Sequence, residues 1–109
     1  MAYDEALAER VLARLLGQPR LEQKKMFGGI SFMVQGNFCC GIVKDELCVR
    51  VGGGGYETAL AQPGVRPMDF TGKAMAGWVF VGSAGFANDE SLSRWVDRGL
   101  TYALSLPAK

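Results

Sequence analysis

The spacing of apolar positions near the N-terminus is typical of an amphipathic helix. Apolar residues recur every three or four positions between residues 4 and 16, so one face of this helix is expected to lie on a core. The residues of that face are Leu7, Val11, Leu12 and Leu15. Asp4 is placed to cap the helix, and Gly17 followed by Pro19 is expected to end it.

Four short segments of strand character follow this helix. They span residues 21–27, 30–34, 38–43 and 47–51, and the first has the weakest pattern. The connections between them are tight turns, with Gly36-Asn37 in one of them. Strands joined by such short turns are antiparallel neighbours, so these segments predict a β-meander of three or four strands.

The second half of the chain changes character at four consecutive glycines, residues 52–55. A short helix is predicted over residues 56–61, an irregular connection over 62–76 and a last strand over 78–81. A final helix starts at a cap on Asn88 or Asp89 and continues to about residue 104. Its inner face is predicted to hold Leu92, Trp95, Val96, Gly99 or Leu100, and Ala103.

This order of elements, α-β(3–4)-α-β-α, predicts a two-layer α+β fold in which helices pack on one face of an antiparallel sheet. At 109 residues, the chain is expected to form a single domain over residues 1–109.

Composition and charge narrow the class of protein. Twelve Lys and Arg residues against eleven Asp and Glu residues give a formal net charge of +1, which argues against a strongly basic nucleic-acid domain but allows a local basic patch. No apolar stretch is long enough to cross a membrane, and the acidic start is unlike a signal peptide. The three cysteines, two of them adjacent, fit reduced thiols better than a disulfide framework. We therefore expect a cytoplasmic protein that does not associate with membranes.

The residues usual in catalysis are sparse. The chain has no histidine, which excludes a Cys-His pair and the usual serine triad. Three cysteines do not supply the four ligands of a Cys/His zinc site, and buried apolar cysteine is the favoured interpretation. Asp45-Glu46 and Asp89-Glu90 are explained by a turn and a helix start. We predict no enzymatic activity, no metal and no cofactor.

An ordered set of residues across most of the chain resembles the N-terminal domain of the TfoX/Sxy competence regulators. The set comprises Met26-Phe27-Gly28-Gly29, the strands through Val43, Leu47-Cys48-Val49-Arg50-Val51, Pro67-Met68-Asp69-Phe70, Lys73, Met75, Trp78, Leu92 and Trp95. The resemblance implies a compact α+β domain of bacterial proteins tied to natural competence and transcriptional regulation. The family's longer regulators carry a second, helical domain, so we expect this chain to be a stand-alone copy of the first.

The resemblance and the lack of catalytic groups lead to a first functional hypothesis. The protein is expected to be a non-enzymatic regulator that contacts the transcription machinery or another regulator. The candidate contacts are Lys24, Lys25, Arg50 and Lys73 as polar residues, with Phe27 and Tyr56 as apolar anchors. For Lys24 and Lys25, an alternative is that they protect an exposed edge strand from sheet-to-sheet pairing. Such an edge could also support a homodimer.

Two further hypotheses come from different classes. Direct nucleic-acid binding would need a basic face hidden within the near-neutral total charge. An anion or small-molecule module would use the Gly52 to Gly55 run, where free amides precede a helix, although a flexible linker is the simpler interpretation of that run. The glycine pair Gly28-Gly29 is interpreted as a kink, bulge or tight corner of the sheet.

Overall fold

The computed structural model describes residues 3–26, 28–68 and 77–108. Its centre is an antiparallel sheet of six strands in the order β1-β2-β3-β4-β6-β5. The strands are β1 (Glu22–Met26), β2 (Gly29–Val34), β3 (Asn37–Val43), β4 (Glu46–Arg50), β5 (Val65–Pro67) and β6 (Trp78–Val81). The predicted meander is confirmed for β1 to β4, which pair in sequence order.

One strand lies where the sequence predicted only an irregular connection. The segment Val65–Pro67 pairs antiparallel with β6 and forms one edge of the sheet. Three residues are too few to show a period of two, and a proline is unusual inside a sheet. The edge position tolerates Pro67 because a strand there needs hydrogen bonds on one side only.

All three hairpin turns of the meander use left-handed backbone conformations, the third at Lys44 with a φ of 56°. Gln35 and Gly36, between β2 and β3, have φ angles of 54° and 80°, the pattern of a type I′ turn. In the β1–β2 hairpin, Met26 pairs with Gly29, and Gly28 has a φ of 76°. A Cβ on Gly29 would lie 1.9 Å from the carbonyl oxygen of Ile42, so the glycine allows β2 and β3 to approach closely. The tight corner predicted at the glycine pair is therefore the turn from β1 into β2.

Two long helices cover one face of the sheet. They are α1 (Glu5–Leu15) and α3 (Asp89–Ser105), and a short helix α2 (Tyr56–Leu60) follows the 3₁₀ turn Gly53–Gly55. Both predicted N-caps are present, because Asp4 accepts a hydrogen bond from the Leu7 amide at 3.1 Å and Asn88 accepts one from the Ser91 amide at 2.8 Å. The buried face of α3 consists of Leu92, Trp95, Val96, Gly99 and Ala103.

A β-bulge changes where two of the cysteines point. The register between β2 and β3 shifts at Phe32/Met33, so that Cys40 pairs with Phe32 while Phe38 pairs with Met33. Cys39 is the extra residue, and Cys39 and Cys40 both pack in the core beneath the helices. The alternation of an undisturbed strand, which would place them on opposite faces, does not hold here.

The sheet carries apolar clusters on both faces. The larger cluster lies between the sheet and helices α1 and α3, and includes Phe32, Ile42 and Leu47. The smaller cluster, on the opposite face, consists of Phe38, Cys48, Met68 and Phe80. Among the helices described, none combines the length and apolar character needed to cross a membrane.

Candidate functional site

The candidate contact residues from the sequence lie in two separate regions. Lys24 and Lys25 are exposed on β1, the strand at one edge of the sheet. Arg50 ends β4, which is three strand positions away, or about 14 Å at the usual strand spacing. Phe27 and Lys73 lie outside the described residues. The structure therefore does not gather the candidate residues into one site.

Arg50 lies between two aromatic rings. Its guanidinium carbon is 5.1 Å from the ring centre of Trp78 and 5.1 Å from that of Tyr102. Within the part of the chain that the structure covers, no carboxylate forms an ion pair with Arg50. The cation is thus held by aromatic faces and not by a carboxylate of the described residues.

Tyr56 has a different environment. It begins α2, is half-buried and packs against the core beneath the helices. Its ring therefore contributes to the fold, and only part of its surface is open to a partner.

The glycine run is a packed turn rather than a free linker. Gly52 is buried with a φ of 79°, and a Cβ there would lie 2.4 Å from the ring of Tyr102. The amides of Val51 and Gly52 donate hydrogen bonds to the carbonyl oxygen of Gly77 at 2.8 and 3.1 Å. These contacts fix the backbone before α2 and hold the Tyr102 ring over it.

A wide concave surface lies between the glycine run with α2 and the C-terminal half of α3. We call it the α2–α3 groove, and its volume is about 650 Å³. Its lining includes Val51, Gly55, Thr58, Arg98, Thr101 and Tyr102. A mostly apolar lining that also carries hydroxyl groups and arginines is typical of surfaces that bind a ligand or a protein segment.

A second hollow continues along α3 toward its N-terminus. Its volume is about 290 Å³, and Pro63, Gly85 and Trp95 line it. The indole nitrogen of Trp95 donates a hydrogen bond to the carbonyl oxygen of Gly85 at 3.1 Å, which fixes the ring. Arg94 and Arg98 border both hollows, so the two hollows adjoin along α3.

The charges around the groove are unevenly neutralised. Asp97 is bound by both Nε and Nη2 of Arg14, at 3.1 and 2.7 Å, which couples α3 to α1 and occupies the carboxylate. Arg94 pairs with Glu90 on the surface of α3. Arg98 lies 4.8 Å from the ring centre of Trp95 and has no ion pair among the described residues. The uncompensated charge at the groove is therefore positive.

The thiols are poorly suited to nucleophilic chemistry. Burial raises the pKa of Cys48 to about 12, and the Cys48 thiol contacts the Met68 sulfur at 3.3 Å. A hydrogen bond with Cys39, together with burial, raises the pKa of Cys40. In the described ranges, no cluster of three or more acidic or cysteine residues is placed to hold a metal ion.

These features define a small two-layer α+β domain whose main concave surface is a groove between two helices. The family model of the TfoX N-terminal domain matches residues 12–103 of the chain, and the protein belongs to that family. No curated protein and no solved structure matches the chain significantly.

The sequence placed one alternative binding module at the glycine run, whose Gly55 borders the groove, but it did not identify the residues of α3 that face it. Arg94, Arg98 and Tyr102 follow one another at four-residue spacing and so lie along one line of α3. That row of two cations and an aromatic residue was a detectable signal. The opposite wall of the groove, at Gly55 and Thr58, is distant in sequence, so no local pattern shows that the two walls meet.

Proposed function

We propose that this protein is a non-enzymatic regulatory domain that acts through protein–protein contacts at the α2–α3 groove. The observation that supports this best is the groove's composition. It combines the apolar surface of Val51 and Tyr102 with Arg98, whose charge has no counterion among the described residues. Tyrosine and arginine are enriched at the centres of protein interfaces.

Membership of the TfoX N-terminal domain family supports the regulatory part of the proposal. We propose that the partner is a component of the transcription machinery or another regulator in the bacterial cytoplasm. The raised thiol pKa values of Cys40 and Cys48, and the absence of histidine from the sequence, favour binding over catalysis.

A second candidate function is an anion or small-molecule module. The groove borders Gly55, and its volume of about 650 Å³ lies within the range of small-ligand sites. This candidate predicts that inorganic phosphate or a nucleotide raises the melting temperature of the protein, because a ligand that binds only the folded state stabilises it.

The test compares two double charge reversals in affinity capture from the native cell. Arg94→Glu with Arg98→Glu alters the groove, and Lys24→Glu with Lys25→Glu alters the edge strand. Each pair lowers the formal net charge of +1 by four, to −3, so the two variants are matched in overall charge. We expect the groove variant to lose a partner that the edge variant keeps.

The opposite pattern would contradict the proposal and favour Lys24 and Lys25 as the contact site. If neither variant loses a partner, the groove is not the interface. Fluorescence anisotropy with labelled duplex and single-stranded DNA, across a salt titration, tests the nucleic-acid alternative. That alternative predicts a log-linear loss of affinity with salt.

A further inference from the structure

We infer that the α2–α3 groove and the adjoining hollow bind an extended acidic segment of a partner protein, anchored by an apolar side chain. This inference rests on the proposed function and names the chemistry of the partner. It draws on four features of the described residues, which are the length of the surface, its charge, its preorganised aromatic ring and its hydroxyl groups.

The length of the surface favours a chain over a compact metabolite. Its boundary residues on α3 run from Ser91 in the adjoining hollow to Ser105 in the groove, which corresponds to about 21 Å along a helix axis. An extended peptide of about six or seven residues covers that distance. A small metabolite would occupy only one of the two hollows.

The charge of the surface selects an acidic segment. Arg98 borders both hollows and makes no ion pair among the described residues. Arg50 does not line the hollows, but its guanidinium carbon is 5.1 Å from the ring centre of Tyr102 and it also makes no ion pair among the described residues. Asp97 is occupied by Arg14. Arg94 is paired with Glu90, but both side chains are more than 70% exposed, at 74% and 73%, so a partner carboxylate can replace Glu90 at little cost.

The aromatic ring of Tyr102 supplies a fixed apolar surface. The ring lies against the backbone of Gly52, where a Cβ would be 2.4 Å from it, and against the guanidinium of Arg50. A ring that is already held loses little entropy when a partner binds. With Val51 beside it, Tyr102 forms the place where an apolar side chain of the segment would lie.

Hydroxyl groups stand on both walls of the groove. Thr58 lies on α2 and Thr101 on α3, and both side chains are exposed. A threonine hydroxyl can donate and accept, so these two can bind the amide and carbonyl groups of an extended backbone. The apolar lining at Val51 and Tyr102, together with hydroxyls that can bind a peptide backbone, favours a peptide over a nucleic acid.

The test is binding of an arrayed set of synthetic fluorescein-labelled heptapeptides to the full chain. One class carries Asp or Glu at four positions around a central Leu, Phe or Trp. A second class replaces the acids by lysine, and a third keeps the acids but has alanine at the centre. We expect binding by members of the first class only, and loss of it by tenfold or more in Arg98→Glu.

Two matched variants control for charge and for folding. Lys25→Glu makes the same charge change on the edge strand and should alter the affinity less than twofold. Thr101→Trp keeps the charge and obstructs the groove, and it should abolish binding. Thermal melts of each variant verify that it is folded.

Several results would overturn the inference. These are binding by the lysine class, equal binding by the alanine class, no binding by any class, and affinity unaffected by Arg98→Glu. Binding of a labelled oligonucleotide that is lost in Arg98→Glu would overturn it in favour of a nucleic acid. If a cellular partner still depends on Arg94 and Arg98 when the acidic peptides fail, the proposed function survives and only this inference is wrong.

Discussion

At the scale of single residues, glycine determines how closely the elements of this fold approach. Gly99 lies on the buried face of α3, where a Cβ would be 2.3 Å from the carbonyl oxygen of Cys39. That carbonyl belongs to the bulged residue of β3, so the bulge and the glycine together allow the helix to lie on the sheet. The sequence marked position 99 as one of two candidates for the inner face, but it did not indicate that a backbone atom lies opposite.

Gly99→Ala is therefore expected to destabilise the protein. The added methyl group must displace backbone rather than a flexible side chain, and overpacking of this kind costs about 1–3 kcal/mol. Urea denaturation measures the change in the free energy of unfolding. Gly54→Ala is the matched control, because nothing lies within 4 Å of a Cβ at that position, and its effect should be near zero. Equal effects of the two substitutions would contradict the close contact at Gly99.

Cys48 makes stability depend on alkaline pH. Its pKa is about 12 in the folded protein against 9.0 ordinarily, so between these values the unfolded chain loses a proton that the folded protein keeps. Stability is thus fully present below pH 9 and falls as the pH rises toward 12, by about 1.4 kcal/mol per pH unit for one thiol. Between pH 8 and 10.5, the free energy of unfolding measured by denaturation should fall less steeply in Cys48→Ala than in the wild type. Parallel slopes would contradict the burial of this thiol.

At the scale of elements, the sequence predicted those parts of the fold that local patterns control. The periodicity of residues 4–16 and the caps at Asp4 and Asn88 placed both long helices to within a residue or two. Short turns placed the strands of the meander. The short strand Val65–Pro67 and the bulge at Cys39 depend on the neighbouring strand, which no local pattern records. The sequence offered the glycine run as one possible binding loop, but it missed the α3 wall of the groove for the same reason, since the two walls come from distant parts of the chain.

Asn88→Ala tests the cap of the longest helix. The Asn88 side chain accepts the Ser91 amide, and loss of such a cap costs about 0.5–2 kcal/mol. The midpoint of thermal unfolding should fall accordingly. Thr101→Ala is the control, because it replaces an exposed residue within the same helix by one of higher helix propensity. If Asn88→Ala leaves the midpoint of thermal unfolding unchanged, the stability of α3 does not depend on this cap.

At the scale of the whole molecule, the two faces and the edges of the sheet have different roles. One face carries α1 and α3 over the main core, and the other carries the small cluster around Phe38 and Phe80. The lysines of β1 lie at an edge, far from the groove that α2 and α3 form at the other side of the sheet. We therefore propose that the partner surface lies on the helical side and not at the basic pair Lys24-Lys25.

Site-specific photo-crosslinking in the native cell tests this central claim most directly. A photoreactive amino acid at Thr101 lies on the groove wall, and one at Lys25 lies on the exposed edge strand. We expect position 101 to crosslink to one discrete protein, and we expect Arg98→Glu to remove that crosslink. We expect no crosslinked protein from position 25. A crosslink from position 25 alone, or one from position 101 that persists in Arg98→Glu, would contradict this claim.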